Sequence, residues 1–223
     1  MKHEWLFIGG ISRSGTTLMA RLLSLHPECL ITAECGWPLA LWWGLTRPPS
    51  EYSMASWRAN DGVERGARWL LPRLCQYDDP AEIVRGMCDG YLDRLHPEVR
   101  VGGDKWPALG SLATPDGNER LWQLLRMLWP DCKLLFMHRP FEEAMASARR
   151  TWPNEDHTLR VRQTRERLEG EALCSDAYHV ELENLNARPH EVMVDVLEFA
   201  NLSAETYPWD KFDEYFQKGH RVN

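Results

Sequence analysis

The sequence predicts an α/β fold in three layers, a central parallel sheet flanked by helices, and three observations carry that prediction. A short apolar run, Trp5 to Ile8, ends in Gly9-Gly10 and gives way to apolar residues at helical spacing from Thr16 to Leu25. Strand-like and helix-like segments then alternate through much of the chain, as they do where crossover helices join parallel strands. Finally, 223 residues with 43% hydrophobic content suit one domain, spanning 1–223, with a sizeable core.

The elements follow in order. His26-Pro27 stops the first helix, and Cys29 to Thr32 reads as a second strand that delivers Ala33 and Glu34 at its carboxyl end. Residues 37–98 read as a mostly helical insertion, with Asp79-Pro80 as N-cap and first-turn proline of a helix through Leu95. A strand near Val99 to Val101 leads into Gly102-Gly103-Asp104-Lys105, and Asp116 to Trp129 reads as a helix. Cys132 to Met137 is a buried strand, followed by helices over 140–150 and about 155–173. Tyr178 to Leu182 reads as a strand and Pro189 to Phe199 as the last helix.

Composition excludes several classes. A net charge of -7 argues against a protein that coats nucleic acid, which needs a basic face. The surplus is local: residues 1–150 carry 18 acidic and 18 basic side chains, and 151–223 carry 15 and 8. An anion site in the first two thirds is therefore compatible with the sum. The strongest apolar stretch, Trp37 to Leu45, is far short of the roughly 20 residues that cross a bilayer, and the N-terminus lacks a secretory pattern. The expectation is a cytoplasmic protein without membrane association. Six cysteines without a C-x-x-C pair or metal spacing read as free thiols.

The chemical feature is Gly10-Ile11-Ser12-Arg13-Ser14-Gly15-Thr16-Thr17, between the first strand and the first helix. Such a loop aims backbone N–H groups and the positive end of a helix dipole at one anion. A plain turn with a solvated arginine is the competing reading. Measured against the phosphate-loop (P-loop) pattern G-x-x-x-x-G-K-[ST], the spacing and Thr17 fit, but Thr16 replaces the lysine and the positive charge moves to Arg13. The strand over 133–137 ends in His138-Arg139, not in an aspartate that would help hold Mg²⁺. A cation there recruits a further anion.

The run from Phe7 to Met19, with Leu22-Leu23 and His26-Pro27, resembles the 5'-phosphosulfate loop and first helix of the sulfotransferases that use 3'-phosphoadenosine 5'-phosphosulfate (PAPS). It is most similar to the protein-tyrosine sulfotransferase branch and its bacterial relatives. The resemblance implies a P-loop-type fold, with Arg13, Ser14, Gly15, Thr16 and Thr17 holding the 5'-phosphosulfate. It implies an arginine at a strand end and a serine eight residues later for the 3'-phosphate, and Arg139 and Ser147 have that spacing. Pro140 departs from the family pattern. Glu183-Asn184-Leu185, Pro189 and 197–202 resemble the family's late structural signature.

The resemblance also distributes the chemistry. Lys105, in Lys105-Trp106-Pro107, resembles the lysine that contacts the bridging oxygen of the scissile bond, and Arg13 adds charge there. Pro107 stands where the cytosolic branch has its histidine base. In the tyrosylprotein branch the base is a glutamate 21 residues after the loop arginine, which is Glu34 here. The implied catalytic set is Glu34, Lys105 and Arg13, with PAPS as donor, 3',5'-ADP as product and no metal. The acceptor is a hydroxyl or a phenol, on a small molecule or a tyrosine-containing peptide, reached from the side of residues 37–98. A P-loop kinase and a silent 3',5'-ADP-binding module remain the alternatives. Trp37, Trp42, Trp43 and Trp106 are candidate pocket walls, His26 a helix cap, Arg149 or Arg150 a further phosphate contact, and Lys218 and Arg221 a C-terminal cover. The first two sets have core packing or helix capping as their plain reading, the arginines a solvated pair, and the last two an exposed tail.

Overall fold

The computed structural model describes residues 3–34, 79–113 and 119–217. Trp37, Trp42, Trp43, Lys218 and Arg221 lie outside these residues, as does the insertion up to residue 78. Five strands form one sheet: β1 (Glu4–Gly10), β2 (Cys29–Ala33), β3 (Val101–Lys105), β4 (Lys133–His138) and β5 (Tyr178–Glu181). Their order is β2-β3-β1-β4-β5, and every pairing is parallel. Chain connections leave β1 toward β2 and β4 toward β5, in opposite directions. A crevice therefore opens between the carboxyl ends of β1 and β4, where such sheets bind ligands.

Alternation along the central strands creates the three layers. Leu6 and Ile8 of β1, with Leu135 and Met137 of β4, face one core; Trp5, Phe7, Leu134 and Phe136 face the other. The first core is covered by α1 (Thr16–Leu23), with the later α6 (Leu182–Ala187), α7 (Pro189–Phe199) and α8 (Trp209–Gln217). The second is covered by α2 (Pro80–Leu95) and α3 (Leu121–Leu128). Between them in sequence, α4 (Phe141–Thr151) and α5 (His157–Ala172) follow β4. No helix among the described residues is long and apolar enough to cross a membrane.

Several bounds agree with the sequence for physical reasons. The Asp79 side chain accepts from the N–H groups of Ala81 and Glu82, and Pro80 opens α2. Pro189 opens α7, whose Met193, Val196 and Leu197 are buried. The third strand is the main correction: Gly102-Gly103-Asp104-Lys105, expected to follow the strand, is itself β3. Gly103 lies so close to β1 that a Cβ would sit 1.8 Å from the Leu6 carbonyl oxygen. Close packing, not a loop, demands the glycine. Helix α3 begins at Leu121, and residues 116–118 of the expected helix lie outside the described set.

Candidate functional site

The loop after β1 runs from a strand end through a left-handed glycine into the N-terminus of a helix. Gly15, the N-cap of α1, has φ 96°, a left-handed conformation that suits glycine, and it turns the chain into the helix. The first N–H groups of α1 have no carbonyl partner within the helix, so they and the dipole point out of its N-terminus. Ser14 is fully buried, and its hydroxyl has no hydrogen-bond partner among the described residues. Thr16 is buried, whereas Thr17 is exposed at the mouth. An arrangement of this kind can receive an anion.

Arg13 binds the loop to the neighbouring helix. Its Nε donates to Ser147 Oγ at 3.0 Å, and its guanidinium lies 5.8 Å from the centre of the Trp152 ring. Arg139, just past β4, donates from Nη1 to the Arg13 carbonyl oxygen at 3.3 Å and pairs with Glu143 at 3.3 Å. Arg139 and Ser147, expected to meet on one phosphate, are thus brought to the same place through Arg13, each touching it. Arg149 and Arg150 are exposed in the last turn of α4.

On the other side of β1, Lys105 Nζ donates to Glu34 Oε1. The backbone explains the meeting: Ala33 pairs with Lys105 in the sheet, and the Glu34 N–H donates to the Lys105 carbonyl at 2.9 Å, continuing the ladder by one residue. The Lys105 side chain is 3% exposed and that of Glu34 58%. Asp104, the residue before Lys105, lies on the opposite face of β3 and accepts from Thr32 Oγ1 at 3.1 Å.

Backbone strain marks the same residues. Among the described residues three non-glycine positions have positive φ: Arg13 at 72°, Glu34 at 57° and Asn201 at 57°. Asparagine adopts this conformation readily, whereas arginine and glutamate do so at a cost of order 1 kcal/mol and persist where surroundings over-determine them.

Other residues are structural. His26 does not cap α1, whose C-cap is Ser24. Its Nδ1 accepts from the Glu28 N–H, and its Nε2 lies 3.0 Å from Thr206 Oγ1. Burial lowers its pKa. His138 stacks on His179, with the two rings' nearest nitrogens 2.6 Å apart; burial, then the neighbouring ring, lowers its pKa. Cys29, Cys88, Cys132 and Cys174 are free and buried, and burial pushes the thiols of Cys29 and Cys132 up to about 12. Trp106 is half-buried against the second core.

One wall of the site has no counterpart in the sequence reading. Trp152 follows α4, and the Arg160 guanidinium of α5 lies 4.3 Å from its ring centre. A cavity of about 360 Å³ runs from Ser12 in the loop to Arg160 and Arg167 on α5. Helix α5 is held there by Arg167, which donates to Ser111 Oγ at 3.1 Å, and by contact between Gly110 and Gly170 too close for any Cβ. Burial lowers the Arg167 pKa, and the nearby Glu171, 1% exposed, is pushed up to about 8 by burial against the opposing pull of Arg167. No sequence motif marks these contacts. Among the described residues no group of three or more His, Cys, Asp or Glu could hold a metal ion.

Comparison with known proteins bears on this geometry. A family model described as the sulfotransferase family matches residues 6–206. A search of curated proteins finds no match. The sulfotransferase domain of the Synechococcus PCC 7002 olefin synthase is 17% identical with a TM-score of 0.61, over 100% of this chain and 86% of that one. Sulfotransferase STF9 from Mycobacterium avium is 17% identical with a TM-score of 0.57, over 99% of this chain and 69% of that one. A sulfotransferase from Alicyclobacillus acidocaldarius is 15% identical with a TM-score of 0.51, over 91% of this chain and 83% of that one. At such identities the likeness is one of fold.

Proposed function

The chain belongs to the sulfotransferase family, and on that premise we propose that it transfers a sulfuryl group from PAPS to a hydroxyl or phenol and releases 3',5'-ADP. The observation that carries this reading is the left-handed backbone at Arg13 and Glu34, one in the anion loop and the other beside buried Lys105. Strain retained at two such positions is accounted for if both side chains must be aimed.

In this reading the loop from Arg13 to Thr17 holds the 5'-phosphosulfate, and Arg139 with Ser147 holds the 3'-phosphate. Arg13 lies between the two groups, bonded to Ser147 and supporting Arg139 through its carbonyl. The acceptor oxygen attacks sulfur in line, an oxygen–sulfur bond forms, and the bond from sulfur to the bridging oxygen breaks. The electron pair leaves on the 5'-phosphate, where Lys105 and Arg13 offset the developing charge. The acceptor proton passes to the Glu34 carboxylate. The Lys105–Glu34 pair is the resting state of this machinery: donor binding gives the ammonium a new partner and frees the carboxylate to accept a proton. Protein cations supply the charge, so the proposal needs no metal. Residues 37–98 supply part of the acceptor side of a single domain. The role of Glu34 follows the tyrosylprotein branch.

Calorimetric titration with 3',5'-ADP in the presence of a chelator tests the donor, and a labelled-PAPS screen of cell extract with mass spectrometry of the product tests the acceptor. Binding without Mg²⁺ and a sulfated product are expected. Mg²⁺-dependent ATP turnover with no affinity for 3',5'-ADP would overturn the proposal. Tight 3',5'-ADP binding with no sulfated product would indicate a silent module.

A further inference from the structure

The cavity beside α5 has a lining that the transfer chemistry does not use. Ser12 borders it from the loop, and Glu155, Asp156, Arg160, Gln163 and Arg167 border it from α5 and the turn before it. Among the described lining residues Leu159 is the one aliphatic side chain. We infer, resting on the PAPS reading above, that this cavity receives the acceptor and selects a polyhydroxylated, uncharged molecule of the saccharide class over a phenol.

Two guanidinium groups, two carboxylates, an amide and the hydroxyls of Ser12 and Thr164 surround one space. Arg160 pairs with Glu155, Asp156 Oδ1 caps α5 and Arg167 Nε donates to Ser111, and the donors and acceptors these bonds do not use stand side by side. A hydroxyl donates and accepts at once, so a ring bearing several answers both kinds of group. A phenol ring would displace water from four charged side chains and return the hydrogen bonds of a single hydroxyl, an uncompensated desolvation. An acidic acceptor would meet Glu155 and Asp156 as well as the arginines, against a lining whose charges balance. Arg160 is held in place by its ion pair with Glu155 and by the Trp152 ring, so the wall it contributes is fixed before a ligand arrives.

Position supports the same assignment. Arg160 and Arg13 both lie against the Trp152 ring, at 4.3 and 5.8 Å from its centre, so the cavity wall is continuous with the anion loop. A volume of about 360 Å³ falls within the roughly 300–1,000 Å³ of small-molecule sites.

The test compares sulfation of 4-nitrophenyl β-glycosides, which carry sugar hydroxyls and no free phenol, with that of 4-nitrophenol, at fixed PAPS. Products are identified by mass spectrometry, and 3',5'-ADP affinity is measured in parallel. A glycoside kcat/KM at least about tenfold above that of the phenol is expected. Gln163→Leu should raise the glycoside KM by about tenfold while leaving 3',5'-ADP affinity within about twofold. Preference for the phenol, an unchanged KM in Gln163→Leu, or intact 3',5'-ADP binding with no sulfated glycoside overturns the inference. Absent 3',5'-ADP binding would overturn the donor reading itself and the inference with it.

Discussion

Lys105 and Glu34 form an ion pair across two neighbouring strand ends, and its two members differ sharply in burial: 3% exposure for the lysine side chain against 58% for the glutamate. Removing one partner is therefore not equivalent to removing the other. In Lys105→Met the carboxylate keeps its water, and the loss is that of an exposed pair, about 0–1 kcal/mol. In Glu34→Ala a buried ammonium loses its partner, at about 1–3 kcal/mol. Thermal unfolding should show the larger Tm loss for Glu34→Ala; the reverse order would contradict this account of the pair.

The same glutamate separates chemistry from binding. Glu34→Gln keeps an oxygen for Lys105 but cannot accept the acceptor proton at neutral pH. Single-turnover transfer should slow by about 10² to 10⁴, with 3',5'-ADP affinity within about twofold of wild type. Equal rates would remove Glu34 from the mechanism.

Arg139 and Ser147 should differ in what they contribute to nucleotide binding. Arg139→Ala deletes a charge-assisted contact and should weaken 3',5'-ADP by about 1.5 to 3 kcal/mol. Ser147→Ala removes a neutral hydroxyl that also holds Arg13 Nε, so it should weaken 3',5'-ADP by only about 0.5 to 1.5 kcal/mol and lower kcat as well. Titration calorimetry and steady-state kinetics on the two variants check the split.

Glu171 predicts a pH dependence of stability. Its folded pKa of about 8 lies above the ordinary value of 4.5. Between those values the folded chain binds more protons than the unfolded chain, so stability falls as pH rises through the window and levels off above about 8. One such proton changes stability by about 1.4 kcal/mol per pH step, and the whole effect is on the order of a few kcal/mol. Urea midpoints at pH 6.5 and 8.5 should therefore differ more for wild type than for Glu171→Gln. A variant with an undiminished difference would assign the dependence to other groups.

What the sequence shows and what it hides divide along contact range. The loop from Gly10 to Thr17 is legible because a strand end, a left-handed glycine and a helix start are consecutive in the chain. Helix α7 is legible from its opening proline and its apolar spacing. Lys105 and Glu34 could be named from the family resemblance, but not their pairing, which depends on β2 and β3 being neighbours. Gly102-Gly103 reads as the end of a strand until the Leu6 carbonyl is seen against Gly103. Ser147 can be placed two turns into a helix by counting, yet its hydrogen bond to Arg13 spans 134 positions. The α5 wall is silent in sequence because the contacts that tie it to the site, Trp152 with Arg13 and Arg167 with Ser111, join residues distant along the chain. Helix α8 lies beyond the last helix expected from the sequence, although Trp209 and Phe212 pack into the first core.

Strand β1 is a common ruler for the cations. Ile8 sits opposite Lys105 on one side, and Gly10 sits opposite Met137, two residues before Arg139, on the other. A slip of β1 by one residue would carry the loop about 3.3 Å along both neighbours and turn Leu6 and Ile8 from one core to the other. The same slip would misalign Lys105 and Arg139 together with respect to Arg13. The cores that forbid it thus act as an assembly check: a chain that has packed its interior has, by that fact, set the backbones that carry these three cations in their mutual positions.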